Sequence, residues 1–163
     1  ILSKLENKNY ENKETYRLDE ILFSAIEKLN KIFPDFAILF EMEESENLDS
    51  LLEISGNKKL LEIAISNILK NAYTYSDNKS AKVKISTDRN QLIISVFNSG
   101  KTLNEKEQKN LFQPFMRGQN ANGTSGFGLG LRIVQRILTI HNAKIIYSDP
   151  SQNTNLFLLI FHI

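Results

Sequence analysis

Gly126-Phe127-Gly128-Leu129-Gly130-Leu131, leading into Ile133, Val134, Ile137 and Leu138 at helical spacing, is the stretch from which the rest of the chain can be read. Alternating glycines let a backbone approach a ligand closely. The start of the helix that follows offers unpaired N–H groups and positive dipole potential, a combination that suits a polyphosphate. A glycine-rich turn also caps helices for structural reasons alone, so this segment by itself leaves both readings open. Neither a Walker loop nor a dinucleotide-binding fingerprint fits, because no Gly-x-x-x-x-Gly-Lys-Ser/Thr occurs and no strand pattern runs directly into the glycines.

Upstream, Leu61, Ala64, Ile65, Ile68 and Ala72 form the apolar stripe of a helix. Asn67 and Asn71 are one turn apart on a second face, about 100° round from the stripe, at the border between core and solvent. Two amides there cost helix propensity with no packing gain, whereas their carbonyl oxygens can ligate a hard cation or bond a phosphate-linked water. Taken alone they also read as two solvated asparagines in an asparagine-rich chain. Further on, an apolar strand over 93–96 stops at Phe97-Asn98-Ser99-Gly100, a strand end of the kind that contacts ligands. It is followed by Leu111-Phe112-Gln113-Pro114-Phe115-Met116-Arg117-Gly118 and a polar run over 119–125.

A helix with Asn-x-x-x-Asn, a strand ending in Asn-x-Gly, a Phe-x-x-Phe segment with an arginine and Gly-x-Gly-x-Gly, in that order, resembles the ATP-binding catalytic domain of bacterial sensor histidine kinases. That branch shares a superfamily with DNA gyrase, Hsp90 and the MutL repair proteins. The resemblance runs from about Tyr16 to the C-terminus. It implies a two-layer α/β sandwich of the Bergerat type, with a mixed, mostly antiparallel sheet and helices on one face. The periodicity agrees. A first amphipathic helix carries Leu18, Ile21, Leu22, Ala25, Ile26, Leu29 and Phe33 and ends at Pro34. Strands are expected over 36–41 and about 48–54, then the asparagine helix over about 58–74, and paired strands over 82–87 and 91–97. A helix from Leu129 to about Ile140 precedes closing strands over 144–148 and 156–162.

Composition fits one domain. A chain of 163 residues with 41% hydrophobic residues can bury a core. The expected division is 1–15, as the end of a preceding dimerisation and phosphoacceptor helix with its linker, and 16–163 as the catalytic domain, with a lid over about 101–125. The balance of 20 basic against 19 acidic residues argues against a nucleic-acid binder held by phosphate charge. Zero cysteines exclude a disulfide scaffold and a thiolate metal site. No apolar stretch approaches membrane-spanning length, so no membrane contact is expected of this chain.

The resemblance also implies roles. Asn67 matches the asparagine that holds Mg²⁺, and Asn71 its partner that contacts phosphate oxygens or the metal. Tyr75 falls where an aromatic often neighbours the nucleotide. Arg117 matches a basic position that reaches the γ-phosphate, and Gly126, Gly128, Leu129 and Gly130 form the box that brings backbone N–H groups to the phosphates. Asn98 and Gly100 match the adenine-reading box. Phe112 and Phe115 are expected to dock the lid onto the fold or the phosphoacceptor helices. Two departures stand out. The family usually has Asp where Asn98 stands and glycine where Thr102 stands, and a basic residue where Thr74 stands. Lys70, one turn earlier, is the candidate substitute. His141 and His162 read as structural, so the substrate histidine lies elsewhere. Gyrase, Hsp90 and MutL relatives carry a water-activating Glu where this chain has Asn67, which favours transfer over hydrolysis. The expected function is therefore binding of Mg–ATP and transfer of its γ-phosphoryl group to a histidine on a separate helical domain, with a response regulator downstream. The resemblance implies a cytoplasmic domain of an inner-membrane sensor. A non-catalytic ATP module of the same fold, or an ATPase of the gyrase, Hsp90 and MutL branch, is the alternative.

Overall fold

The computed structural model describes residues 14–113 and 129–163. In chain order the elements are β1 (Glu14–Arg17), α1 (Leu18–Ile32), β2 (Ala37–Met42), α2 (Leu48–Leu51), β3 (Glu53–Gly56), α3 (Lys58–Tyr75), β4 (Ser80–Asp88), β5 (Gln91–Ser99), α4 (Glu105–Lys109), α5 (Leu129–Ile140), β6 (Ala143–Ser151) and β7 (Thr154–His162). The main sheet has five strands in the order β2-β4-β5-β7-β6. Strand β2 runs parallel to β4, and every other pair is antiparallel.

Period-two patterning decides which face of the sheet is covered. Val83 and Ile85 of β4, Leu92, Ile94 and Val96 of β5, and Phe157, Leu159 and Phe161 of β7 are buried. The helices meet that face with their apolar stripes: Leu18, Ile21, Leu22 and Ala25 from α1, Leu61, Ala64, Ile65 and Ile68 from α3, and Leu131, Val134, Ile137 and Leu138 from α5. Helix α3 lies between α1 and α5 and also packs on β4 and β5. Each large side chain buried here contributes about 1.5–3 kcal/mol of transfer free energy. This is the expected sandwich, a mixed and mostly antiparallel sheet with helices on one face.

Several local expectations change. The segment expected as a strand over 48–54 is the short helix α2 followed by β3, because Leu48 and Leu52 sit a helical turn apart and are both buried. Strand β1, not anticipated, pairs antiparallel with β3, with Glu14 opposite Gly56 and Arg17 opposite Glu53. Within the span expected as lid, Asn104 caps α4 in a reciprocal box: its side chain accepts from the Glu107 N–H while the Glu107 carboxylate accepts from the Asn104 N–H. Asn142 takes the left-handed conformation with φ 53° between α5 and β6, a region that asparagine tolerates better than most side chains.

Candidate nucleotide site

Helix α3 is the spine of the site. Asn67, Asn71 and Tyr75 follow one another at four-residue intervals along one side of it, a span of about 12 Å. At the upstream end Asn67 faces Gly130, near the start of α5. A β-carbon on Gly130 would lie 3.1 Å from Asn67 Oδ1, so the absent side chain lets the α5 backbone come up to the amide. Asn67 Nδ2 donates to the Ile63 carbonyl at 2.8 Å, which fixes the amide with its oxygen turned toward α5.

At the other end the Asn98-Ser99-Gly100 turn abuts the last turn of α3. A β-carbon on Gly100 would fall 1.9 Å from the Tyr75 carbonyl oxygen, so no other residue fits there without moving backbone. The turn is pinned from both sides: the Ser99 carbonyl accepts from the Asp77 N–H at 2.8 Å, and the Gly100 N–H donates to the Asn153 carbonyl at 2.9 Å. Asn98 is 5% exposed, and its Nδ2 donates to the Ser99 carbonyl at 3.5 Å. Burial pushes the Tyr75 phenol above its ordinary pKa, so it stays a neutral hydroxyl at physiological pH.

Between these ends lies Asn71, whose Nδ2 is buried without a hydrogen-bond partner among the described residues. Native proteins rarely leave such a donor unpaired, since each costs about 1–3 kcal/mol. Lys70 and Thr74 are exposed on the same helix, and the Thr74 hydroxyl donates back to the Lys70 carbonyl at 2.9 Å. Among the described residues no group of three or more His, Cys, Asp or Glu is placed to hold a metal ion. A magnesium ion accepts hard oxygen ligands, and in this row the Asn67 carbonyl oxygen is one.

The structure thus brings Asn67 together with Gly130, and Tyr75 with Gly100 and Asn98, and puts Asn71 between the two groups. Leu129 is the first residue of α5. Arg117, Phe115, Gly126 and Gly128 lie outside the described residues; Phe112 lies inside them and packs against the core.

Sequence reasoning missed a polar network behind the turn. Asn155, 1% exposed and paired opposite Asn98, donates from Nδ2 to the carbonyls of Gly100 and Lys101 at 3.4 and 3.2 Å. The Tyr147 hydroxyl donates to Asn155 Oδ1 at 2.7 Å and accepts from the Leu103 N–H at 3.0 Å. Burial is the main cause that raises the Tyr147 pKa. Neither residue belongs to a recognisable motif; an asparagine inside an otherwise apolar strand was the available signal.

These features define a Bergerat-type nucleotide-binding sandwich. The chain belongs to the histidine kinase-, DNA gyrase B- and HSP90-like ATPase family, whose model matches residues 56–162. It is 31% identical over 148 residues to the sensor-like histidine kinase SenX3 of Mycobacterium tuberculosis, covering 88% of this chain and 35% of that protein. It is also 31% identical over 147 residues to the sensor histidine kinase ArsS of Helicobacter pylori, covering 90% of this chain and 32% of that protein. The chain therefore spans about a third of the length of these kinases. Among solved structures, the catalytic domain of histidine kinase ThkA superposes with a TM-score of 0.71 at 22% identity, covering 91% of this chain and 96% of that one. The mycobacterial sensor histidine kinase MprB gives 0.73 at 19% identity, covering 92% and 97%. Together they identify an ATP-binding catalytic domain of the histidine kinase kind.

Proposed function

We infer that this domain binds Mg–ATP along α3 and transfers the γ-phosphoryl group to a histidine on a separate helical domain, which in turn serves a response regulator. The observation that carries the reading is the row Asn67, Asn71, Tyr75 laid between Gly130 and Gly100, with a buried amide at its centre that has no partner among the described residues. In this reading the Asn67 oxygen holds the magnesium ion, the Asn71 amide donates to a phosphate oxygen, and the Gly130 backbone admits the phosphate chain. The bound cation supplies charge neutralisation on the phosphates. Arg117 stabilises charge that develops on the γ-phosphoryl oxygens, and Lys70 supplies positive potential from the exposed turn of α3. Asn98 reads the base, its carbonyl accepting from the adenine amine. An imidazole nitrogen of the incoming histidine forms the new P–N bond as the bond to the β–γ bridging oxygen breaks, and ADP leaves. None of the site side chains is a general base, so water is not activated and the phosphoryl group is kept for transfer.

The relatives named above are sensor kinases, and the solved complex of ThkA with its response regulator protein shows one such kinase with that kind of partner. The test is to mix this chain with labelled ATP and the helical domain preceding it in its parent protein. Acid-labile, base-stable label on that domain is expected. ATP binding without transfer would mark a non-catalytic module, and steady phosphate release without labelled histidine an ATPase.

A further inference from the structure

We propose that His141 is a positioning residue that locks the far ends of α3 and α5 together and so sets the spacing of Asn67 and Gly130. The inference rests on the nucleotide reading for its functional consequence, though not for its geometry. Helix α3 begins poorly satisfied. Asn57 caps it, its Oδ1 accepting from the Leu60 N–H at 3.1 Å. In a complete capping box the third helical residue would return a carboxylate or amide to the cap's own N–H, but here that residue is Leu60. The first turn carries no acidic residue and has Lys58 and Lys59 against the positive end of the helix dipole.

The missing acceptor comes from the other helix. Immediately after α5, His141 Nε2 accepts from the Asn57 N–H at 2.9 Å, while its Nδ1 donates to the Ile137 carbonyl at 2.7 Å. Those two partners specify one protonation state, the neutral ring with its proton on Nδ1. The ring is seated on Gly56, where a β-carbon would fall 2.1 Å from His141 Cδ2, so the strand before α3 is cut to fit it. Gly130 stands about 17 Å from His141 along α5, eleven residues at 1.5 Å each. Helix α5 therefore meets α3 at two points. At one end Gly130 leaves room for the Asn67 amide, which a β-carbon there would approach to 3.1 Å; at the other the imidazole completes the α3 cap. The apolar stripe of α5 packs on α3 without direction, and the His141 hydrogen bond adds a directional contact that fixes how far α5 can slide or turn along it.

The experiment compares His141→Gln, whose amide oxygen can reach the Nε2 position, with His141→Asn, whose shorter amide reaches only toward the Ile137 side. The probe is a magnesium complex of a non-hydrolysable ATP analogue, titrated calorimetrically into the 163-residue chain. The Gln variant is expected to bind within about threefold of the native chain and the Asn variant about tenfold more weakly, the loss of one well-formed hydrogen bond at a fixed contact. Nitrogen NMR of the native chain should show His141 with Nε2 unprotonated, and the Asn67 and Gly130 signals should move in the Asn variant but not in the Gln variant. Equal affinities for the two variants, or a ring protonated on Nε2, would overturn the proposal. If the native chain binds no nucleotide the reading of the site falls, yet the two NMR observations still decide the lock. If neither variant folds, the ring nitrogen signals of the native chain decide it.

Discussion

Asn71 carries a buried amide nitrogen with no partner among the described residues, and Asn67 an amide whose nitrogen is tied to the Ile63 carbonyl while its oxygen faces Gly130. The two therefore predict opposite behaviour. Replacing Asn71 with leucine removes an unsatisfied donor while keeping the branched side-chain shape, so the nucleotide-free chain should be as stable or about 1 kcal/mol more stable, while calorimetric titration should find ATP binding lost. A urea midpoint that falls instead would mean the amide serves the fold. Asn67→Ala should leave the unfolding free energy within about 0.5–1 kcal/mol, since one side-chain hydrogen bond, to the Ile63 carbonyl, is lost. It should also abolish most of the gain in nucleotide affinity that Mg²⁺ confers. Titrations with and without the cation check this, and an unchanged Mg²⁺ dependence would return Asn67 to the role of a solvated side chain. At this scale the sequence was legible where spacing on a helix fixes direction: the four-residue interval put Asn67 and Asn71 on one face, and the family resemblance singled them out together with Tyr75 one turn on. Asn155 and Tyr147 were not, because the contact that matters joins strands distant in sequence and nothing local to either residue announces it.

Helix α3 was readable because eighteen residues give several turns of an apolar stripe. Strand β1 and helices α2 and α4, of four, four and five residues, are too short to show a period, and pairing partners and caps decide them. The stretch after the Asn98-Ser99-Gly100 turn shows what that costs. Its backbone is held by side chains of β6 and β7: Leu103 through the Tyr147 hydroxyl, and Gly100 and Lys101 through Asn155. Tyr147→Phe keeps the ring against Phe157 but leaves the Leu103 N–H and Asn155 Oδ1 without that partner. A loss of about 1–3 kcal/mol in unfolding free energy is expected, along with faster hydrogen exchange at the Leu103 amide than at core amides such as that of Ile94. Unchanged exchange at Leu103 would mean that water or another group replaces the hydroxyl.

Across the whole molecule, Gly100 abuts the last turn of α3 and Gly130, in the first turn of α5, faces Asn67, while the two histidines lie elsewhere. His141 lies about 17 Å from Gly130 along α5 and is engaged through both ring nitrogens. His162 closes β7 beside Gln91, which donates to its Nδ1, and Gln91 is about 24 Å along β5 from Asn98, seven residues at 3.4 Å each. A phosphoryl transfer needs its acceptor within about 3–3.5 Å of the phosphorus and in line, so neither histidine can take the group from a nucleotide bound along α3. Incubated alone with labelled ATP, the chain should therefore bind nucleotide and acquire no phosphohistidine. With the preceding helical domain supplied as a separate polypeptide, label should appear on that domain, more slowly than in the intact parent, because tethering supplies an effective concentration that two free pieces lack. Arg117→Ala should lower this rate far more than it lowers ATP affinity, since the work assigned to the guanidinium is on charge that develops only during transfer. Label on His141 or His162 in the isolated chain would place the nucleotide somewhere other than between Gly130 and Gly100, and would overturn the site as built here.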